Sequence, residues 1–241
     1  PSEYDPKIEM NFVPYMFSDY SQLSKAFGEG SYFLDKYRDV HAKQGVKLLG
    51  MYVEGLIGMG FTDYPENYGD PTINKNMKGR APAIEVYNLV TEDLGYNAVT
   101  IPYSDLYTSM QTGVCDGWIG GTPQLNYSDF KDVIKYYVAY NCFAENIGFF
   151  MSQSVADKMP AEYVKAIEEA FTAASAESFE TAKTLDEEAL KGLEEYGVEI
   201  INLTDAEMAA CVEKIQKETW PKLYKNIGED TLKELVAALE E

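Results

Sequence analysis

Six side chains in this chain could carry recognition chemistry: Arg80, Tyr103, Trp118, Asn141, Glu145 and Asn146. Arg80 stands in the run Met77-Lys78-Gly79-Arg80-Ala81-Pro82. A guanidinium offers a planar fork of donors that meets a carboxylate through two parallel hydrogen bonds, so an arginine in a dry cleft both anchors and orients an acid. The plain alternative is a solvated surface arginine, and Lys78 is expected at the surface. Tyr103 and Trp118 each offer a flat face and one polar handle, suited to the carbon skeleton and an oxygen of a small molecule. Either could equally belong to the core. Asn141, Glu145 and Asn146 cluster between two β-prone runs, where polar groups either meet a ligand or only hold a hinge. Glu145 would suit a ligand bearing a hydroxyl or an amine, or would pair with Arg80 when the site is empty.

Covalent catalysis has little to work with. His41 is the lone histidine, expected on a polar helix surface within Tyr37-Arg38-Asp39-Val40-His41-Ala42-Lys43, and any Ser-His-Asp or Cys-His mechanism would rest on it. Cys115, Cys142 and Cys211 have no CxxC spacing and no histidine companions, so buried free thiols are expected rather than zinc or redox chemistry. Gly55-Leu56-Ile57-Gly58-Met59-Gly60 has its glycines in the wrong order for a dinucleotide fingerprint, and Asp70-Pro71-Thr72-Ile73-Asn74-Lys75-Asn76 is not an EF-hand. No cofactor and no metal are expected. An enzyme would need Asp116 or Glu145 as its acid or base, and a non-enzymatic role is the expectation.

The elements that must position these residues alternate between helix and strand. Residues 18–42 read as helix broken at Gly28 and Gly30, and 46–52 as a buried strand between Gly45 and Gly55. Residues 58–71, rich in Gly, Pro, Asn and Asp, read as irregular loop. A helix over 83–94, stopped by Gly95, leads into a strand at 97–101 closed by Pro102. Ser104 or Asp105 then caps a helix that ends at Gly113, and Val114-Cys115 begins a strand running into Asp116-Gly117-Trp118-Ile119-Gly120-Gly121. Side chains just past the carboxyl ends of such strands face the ligand crevice of an open α/β sheet, which places Tyr103 and Trp118 at its wall. Further strands are expected at 136–140 and 147–151, with 141–146 crossing between them. From 161 to 191 there is neither Gly nor Pro, and Val164, Ile167, Phe171, Ala174, Ala182, Leu185 and Ala189 keep a spacing of three or four for much of its length. An unbroken helix there would span roughly 46 Å, enough to bridge two lobes.

Composition narrows the partners. The chain has 241 residues, 46% hydrophobic and 13% aromatic, enough to bury a sizeable core. A net charge of −20 argues against nucleic acid and anionic membrane, which need basic patches. No run of about eighteen apolar residues is present, so no transmembrane helix is expected. Asn126-Tyr127-Ser128 and Asn202-Leu203-Thr204 match the glycosylation pattern at a length where chance suffices.

The run Ser104-Asp105-Leu106-Tyr107 through Gln111-Thr112-Gly113-Val114-Cys115-Asp116-Gly117 resembles one carried by solute-binding proteins of tripartite ATP-independent (TRAP) transporters, of the dicarboxylate-binding type. Arg80-Ala81-Pro82, Val13-Pro14-Tyr15-Met16-Phe17-Ser18-Asp19 and the acidic helix after Lys158-Met159-Pro160 are similar to that family in the same order, from about Val13 to Trp220. The resemblance implies a two-lobed α/β fold with mixed sheets and a long helix along both lobes. It divides the chain into a first lobe of residues 1–60 plus 149–191 and a second of 61–148 plus 192–241. It further implies an extracytoplasmic monomer, periplasmic or lipid-anchored, that closes on a small carboxylate and presents it to a membrane permease; a sensing ectodomain of the same fold is the nearest alternative. Arg80 is then the carboxylate ligand and Tyr103 a stacking position. Two departures stand out. Where the family commonly reads Asp-Gly-Gln-Glu-Asn-Pro, this chain has Asp116-Gly117-Trp118-Ile119-Gly120-Gly121-Thr122-Pro123, which removes a side-chain amide and points to a bulkier or less polar ligand. The strand, helix and second strand that open family members are also missing ahead of Val13, so the first lobe is expected to lack them and the native chain to be longer.

Overall fold

The protein is described here by a computed structural model that covers residues 5–17 and 19–240; Ser18 of the N-terminal family match lies outside the described residues. After a capped 3-10 turn at Pro6–Phe12 and another at Tyr20–Gln22, two helices follow, α1 (Leu23–Phe27) and α2 (Tyr32–Ala42). The break between them falls at Gly28 to Gly30 as expected, because Ser31 leaves the helical region and its hydroxyl accepts the Leu34 N–H as an N-cap. The remaining elements are β1 (Val46–Phe61), β2 (Lys78–Ala81), α3 (Glu85–Asp93), β3 (Asn97–Thr100), α4 (Tyr103–Gln111), β4 (Gly117–Gly121), α5 (Pro123–Leu125), β5 (Tyr136–Ser152), α6 (Gln153–Ala156), α7 (Ala161–Tyr196), β6 (Glu199–Ile201), α8 (Asp205–Glu218), α9 (Trp220–Ile227) and α10 (Glu229–Glu240).

One six-stranded mixed sheet holds them, in the order β3-β2-β4-β1-β5-β6. β2 runs parallel to β3 and β4, β6 parallel to β5, and β1 antiparallel to β4 and β5. Its spine is the ladder between β1, 16 residues, and β5, 17 residues, each about three times an ordinary strand. Two sequence expectations change here. Residues 58–61 are strand, not loop: Gly58 and Gly60 leave room for the Tyr137 hydroxyl and for Asn126 and Trp118, which a side chain at either position would displace. Residues 141–146 do not interrupt the strand either, and Asn141 accommodates a local kink with φ +52°, a left-handed conformation that asparagine tolerates.

The β1–β5 register shifts three times, after Leu48, Val53 and Ile57, and two of the backbone N–H groups on β1 are satisfied from α7 instead. Val53 N–H donates to Ser178 Oγ at 3.0 Å and Leu56 N–H to Asp186 Oδ2 at 2.9 Å. With the Lys47–Glu168 ion pair at 2.7 Å upstream and Gly192 against the Tyr127 ring downstream, these contacts lay α7 alongside β1 in the same direction. The helix has 36 residues, roughly 54 Å, five more than the Gly-free run predicts. It passes through Gly192 and stops at Gly197, whose φ of +108° is the left-handed cap.

Two apolar clusters make the core. The larger joins the N-terminal turns and α1–α2 to β1, α3, β5 and α8–α10; the smaller gathers Leu106, Met110, Cys115, Trp118, Phe130 and Leu193. His41 is a correction to the sequence reading: it is only 7% exposed, its Nδ1 donates to the Tyr37 carbonyl at 2.8 Å, and its ring lies 4.7 Å from that of Phe150. The three cysteines are buried free thiols.

Candidate functional site

Arg80 is held on β2 between Val99 of β3 and Trp118 of β4, so its backbone is fixed from both sides. The side chain is 4% exposed, and its one hydrogen bond among the described residues runs from Nε to the Ile101 carbonyl at 2.8 Å. No carboxylate among the described residues pairs with it, and burial pushes its pKa down. A buried guanidinium without a countercharge is costly, and its unsatisfied fork is what an incoming anion would neutralise. Gly120 lies beside that fork: a Cβ there would stand 3.8 Å from Nη1 and 3.9 Å from Tyr87 Cε1, and its φ of +118° restricts the position to glycine.

Tyr103 opens α4 directly after Pro102, which corrects the expected cap at Ser104 or Asp105. At 46% exposed it presents its ring to solvent, 6.0 Å from the Arg80 guanidinium carbon, while its hydroxyl donates to Asp129 at 3.0 Å. Burial, then the Asp129 hydrogen bond, push its phenol up to about 12. Trp118 behaves differently. It is 1% exposed, packs 4.6 Å from Phe130, and donates its indole N–H to Asn126 Oδ1 at 3.0 Å. It therefore backs the site as core, 6.3 Å behind the Tyr103 ring, and offers a ligand no face. The strand that carries it starts at Gly117, so Val114 and Cys115 lie outside it. Asp116 is occupied by the backbone, accepting the Lys78 N–H at 2.7 Å.

On β5, Asn146 donates to the carbonyls of Ala144 at 3.0 Å and Asn11 at 3.5 Å, leaving its buried Oδ1 without a partner. Asn141 is half-buried and its side chain makes no hydrogen bond among the described residues. Glu145, half-buried opposite Gly55 of β1, forms no ion pair with Arg80; burial, reinforced by Glu54, pushes its carboxyl up to about 7.

The structure thus brings Arg80 and Tyr103 together and adds a residue that the sequence did not single out. Tyr87 of α3 is 4% exposed and stacks on Phe143 at 4.4 Å. Phe143 and Glu145 are two residues apart on β5, and Arg80 and Glu145 act on the Tyr87 phenol with opposite sign. Beyond them, Glu54, Thr122, Gln124, Tyr127 and Leu185 line a cavity of about 500 Å³, with Gln124 Nε2 donating to the Glu54 carbonyl at 2.7 Å. Tyr87 reads in the sequence as an ordinary core position of an amphipathic helix, and nothing in its local pattern distinguishes it.

Among the described residues no helix is long and apolar enough to cross a membrane. The chain is 25% identical over 236 residues to the C4-dicarboxylate-binding periplasmic protein DctP of Rhodobacter capsulatus, an alignment covering 97% of this chain and 69% of that protein. It is 24% identical over 252 residues to the ectoine-binding periplasmic protein TeaA of Halomonas elongata, covering 98% and 70%. Its fold superimposes on a TRAP periplasmic solute-binding protein of Ralstonia eutropha with bound (S)-2-acetolactate at a TM-score of 0.86, 21% identity, and 99% and 76% coverage. One from Shewanella oneidensis with bound succinate gives 0.85, 21%, and the same coverage. Residues 2–226 match the family model described as bacterial extracellular solute-binding protein, family 7 (DctP), and the chain belongs to that family.

Proposed function

We propose that this chain binds a small organic acid through Arg80 and presents it, outside the cytoplasmic membrane, to the membrane permease of a TRAP transporter. The observation that carries this reading is a guanidinium 4% exposed that, among the described residues, is hydrogen-bonded only through Nε and pairs with no carboxylate. Tyr103 brings its ring within 6.0 Å of the same guanidinium, and Gly120 adds no side chain beside Nη1. The solved relatives lend support, since several hold acids: acetolactate, succinate, D-glucuronate and orotic acid.

Binding of this kind needs no covalent step. The lobes assigned as 1–60 plus 149–191 and 61–148 plus 192–241 would close about β1 and β5, the two strands that both boundaries cut, and along α7. The working unit is a monomer, periplasmic or held by lipid at the outer face of the membrane. Calorimetric titration of a panel of small acids tests the reading. Tight binding by the wild type and a loss of about a hundredfold in Arg80→Gln are expected, about 3 kcal/mol for two charge-assisted hydrogen bonds. Unchanged affinity in the variant would remove Arg80 from the site.

A further inference from the structure

Glu54 and Glu145 meet where β1 and β5 cross the middle of the sheet, Glu145 opposite Gly55 and Glu54 preceding it. Among the described residues neither carboxylate makes an ion pair, and neither accepts a hydrogen bond from a side chain or a backbone N–H. Asp186 of α7 closes in on the same glycine: it is 1% exposed, its Oδ2 takes the Leu56 N–H, and its Oδ1 is buried without a partner. Burial, with Glu54 adding to it, raises the proton affinity of both Glu145 and Asp186, and no Lys or Arg among the described residues pairs with either. Carboxyl groups therefore gather here without a compensating cation among the described residues.

Tyr87 connects these carboxyl groups to Arg80. Its ring is buried between Phe143 and Phe12, while its hydroxyl has no hydrogen-bond partner among the described residues. The ring stacks on Phe143, two residues from Glu145 on β5, and a Cβ at Gly120 would lie 3.9 Å from its Cε1 and 3.8 Å from Arg80 Nη1, so Tyr87 neighbours both charged residues; a phenol can donate to one group while accepting from another. A cation, a phenol and carboxylates that lack partners among the described residues are thus gathered around Tyr87. A hydroxyl arriving at Glu145 would bring one donor and no charge; a protonated nitrogen brings up to three donors and the missing countercharge.

We infer that the acid taken by this site carries a protonated nitrogen, with its carboxylate on Arg80, the cationic end on Glu145 backed by Glu54, and the Tyr87 hydroxyl between. This rests on the carboxylate reading of Arg80. The test is calorimetry of straight-chain ω-amino acids of about three to six carbons against unsubstituted and ω-hydroxy acids of equal length, on the wild type, Glu145→Gln, Glu54→Gln and Arg80→Gln. At the best-fitting length the amino acid should bind the wild type at least about tenfold more tightly than either counterpart. In Glu145→Gln the ratio of amino to unsubstituted acid should fall to about one, with a melting curve confirming a folded variant. Equal or tighter binding of the unsubstituted or hydroxy acids, or an amino preference that survives both glutamate substitutions, overturns the inference while leaving Arg80 as an acid anchor. Binding of no series, or binding indifferent to Arg80→Gln, would instead bring down the carboxylate reading and this inference with it.

Discussion

Asp186→Asn separates the electrostatic role of a buried carboxylate from its hydrogen bonds. Asp186 is 1% exposed and sits between the long helix and the central strand, accepting from the Leu56 N–H at 2.9 Å and the Tyr20 hydroxyl at 2.6 Å. Burial is the largest influence on it and outweighs those bonds, pushing the carboxyl up to about 6. An unfolded aspartic acid releases its proton near 3.9, so between those values the folded protein binds more protons than the unfolded chain. The contribution of this group to stability therefore falls as pH rises through the window. With about 1.4 kcal/mol per unit, the loss between pH 4 and pH 7.5 is about 2–3 kcal/mol. Asparagine keeps an acceptor for the Leu56 N–H but cannot ionise. The difference in unfolding free energy between variant and wild type, from urea melts, should shift by about 2–3 kcal/mol in favour of the variant across that range. Asp186→Ala, which leaves the Leu56 N–H unpaired, should be destabilised throughout. A variant-minus-wild-type difference that stays flat with pH would refute the assignment of a raised pKa to Asp186.

Gly55→Ala drives a Cβ into the Asp186 carboxylate and prises helix from strand, at a cost of about 2 kcal/mol or about 4–8 °C in Tm by scanning calorimetry. Trp118→Phe strands the buried Asn126 oxygen and should cost about 1–2 kcal/mol in a urea melt, while acid affinity stays within about twofold because the ring is not at the ligand surface. Arg80→Gln, besides losing the acid, should melt no lower than the wild type without ligand, since it removes a buried uncompensated cation. By stopped-flow fluorescence, association of a singly charged acid should speed up several-fold as salt rises from about 10 to 150 mM, and that of a zwitterion should hardly change.

Much of the scaffold was legible because it depends on local chemistry. Most of the long helix follows from the absence of Gly and Pro over 161–191, though it runs on through Gly192 to Tyr196, and the expected stops at Gly95 and Gly113 each coincide with a positive φ. The errors share a cause. Gly58 and Gly60 are turn formers in isolation, yet here they are the places where Tyr137, Asn126 and Trp118 press against a strand. Asn141 to Asn146 look like a polar crossover, yet long-range pairing with β1 keeps them extended. His41 is flanked by charge in sequence, but one helical turn back lies the Tyr37 carbonyl and across the fold lies Phe150. For the site, Arg80 and Tyr103 follow from chemistry and family resemblance. For Trp118 the sequence left pocket wall and core open, because the two layers are adjacent in sequence, and its burial of all but 1% resolves it as core; Tyr87 gave no signal because its stacking partner comes from β5.

Charge adds a constraint that bears on what such a site can accept. At −20 the chain repels any free anion, and at moderate salt that repulsion is screened beyond about 10 Å. The attraction that overcomes it must be short-ranged and desolvated, which is what a 4% exposed guanidinium without a countercharge provides. At the β1–β5 crossing, Glu145 and Glu54 add carboxyl groups that a simple anion would meet unfavourably. A molecule carrying both charges escapes the long-range repulsion, and for it the Arg80 fork and the carboxyl groups act in the same direction. Selectivity in this chain is therefore expected to come from a mismatch penalty on singly charged acids as much as from the strength of the Arg80 contact.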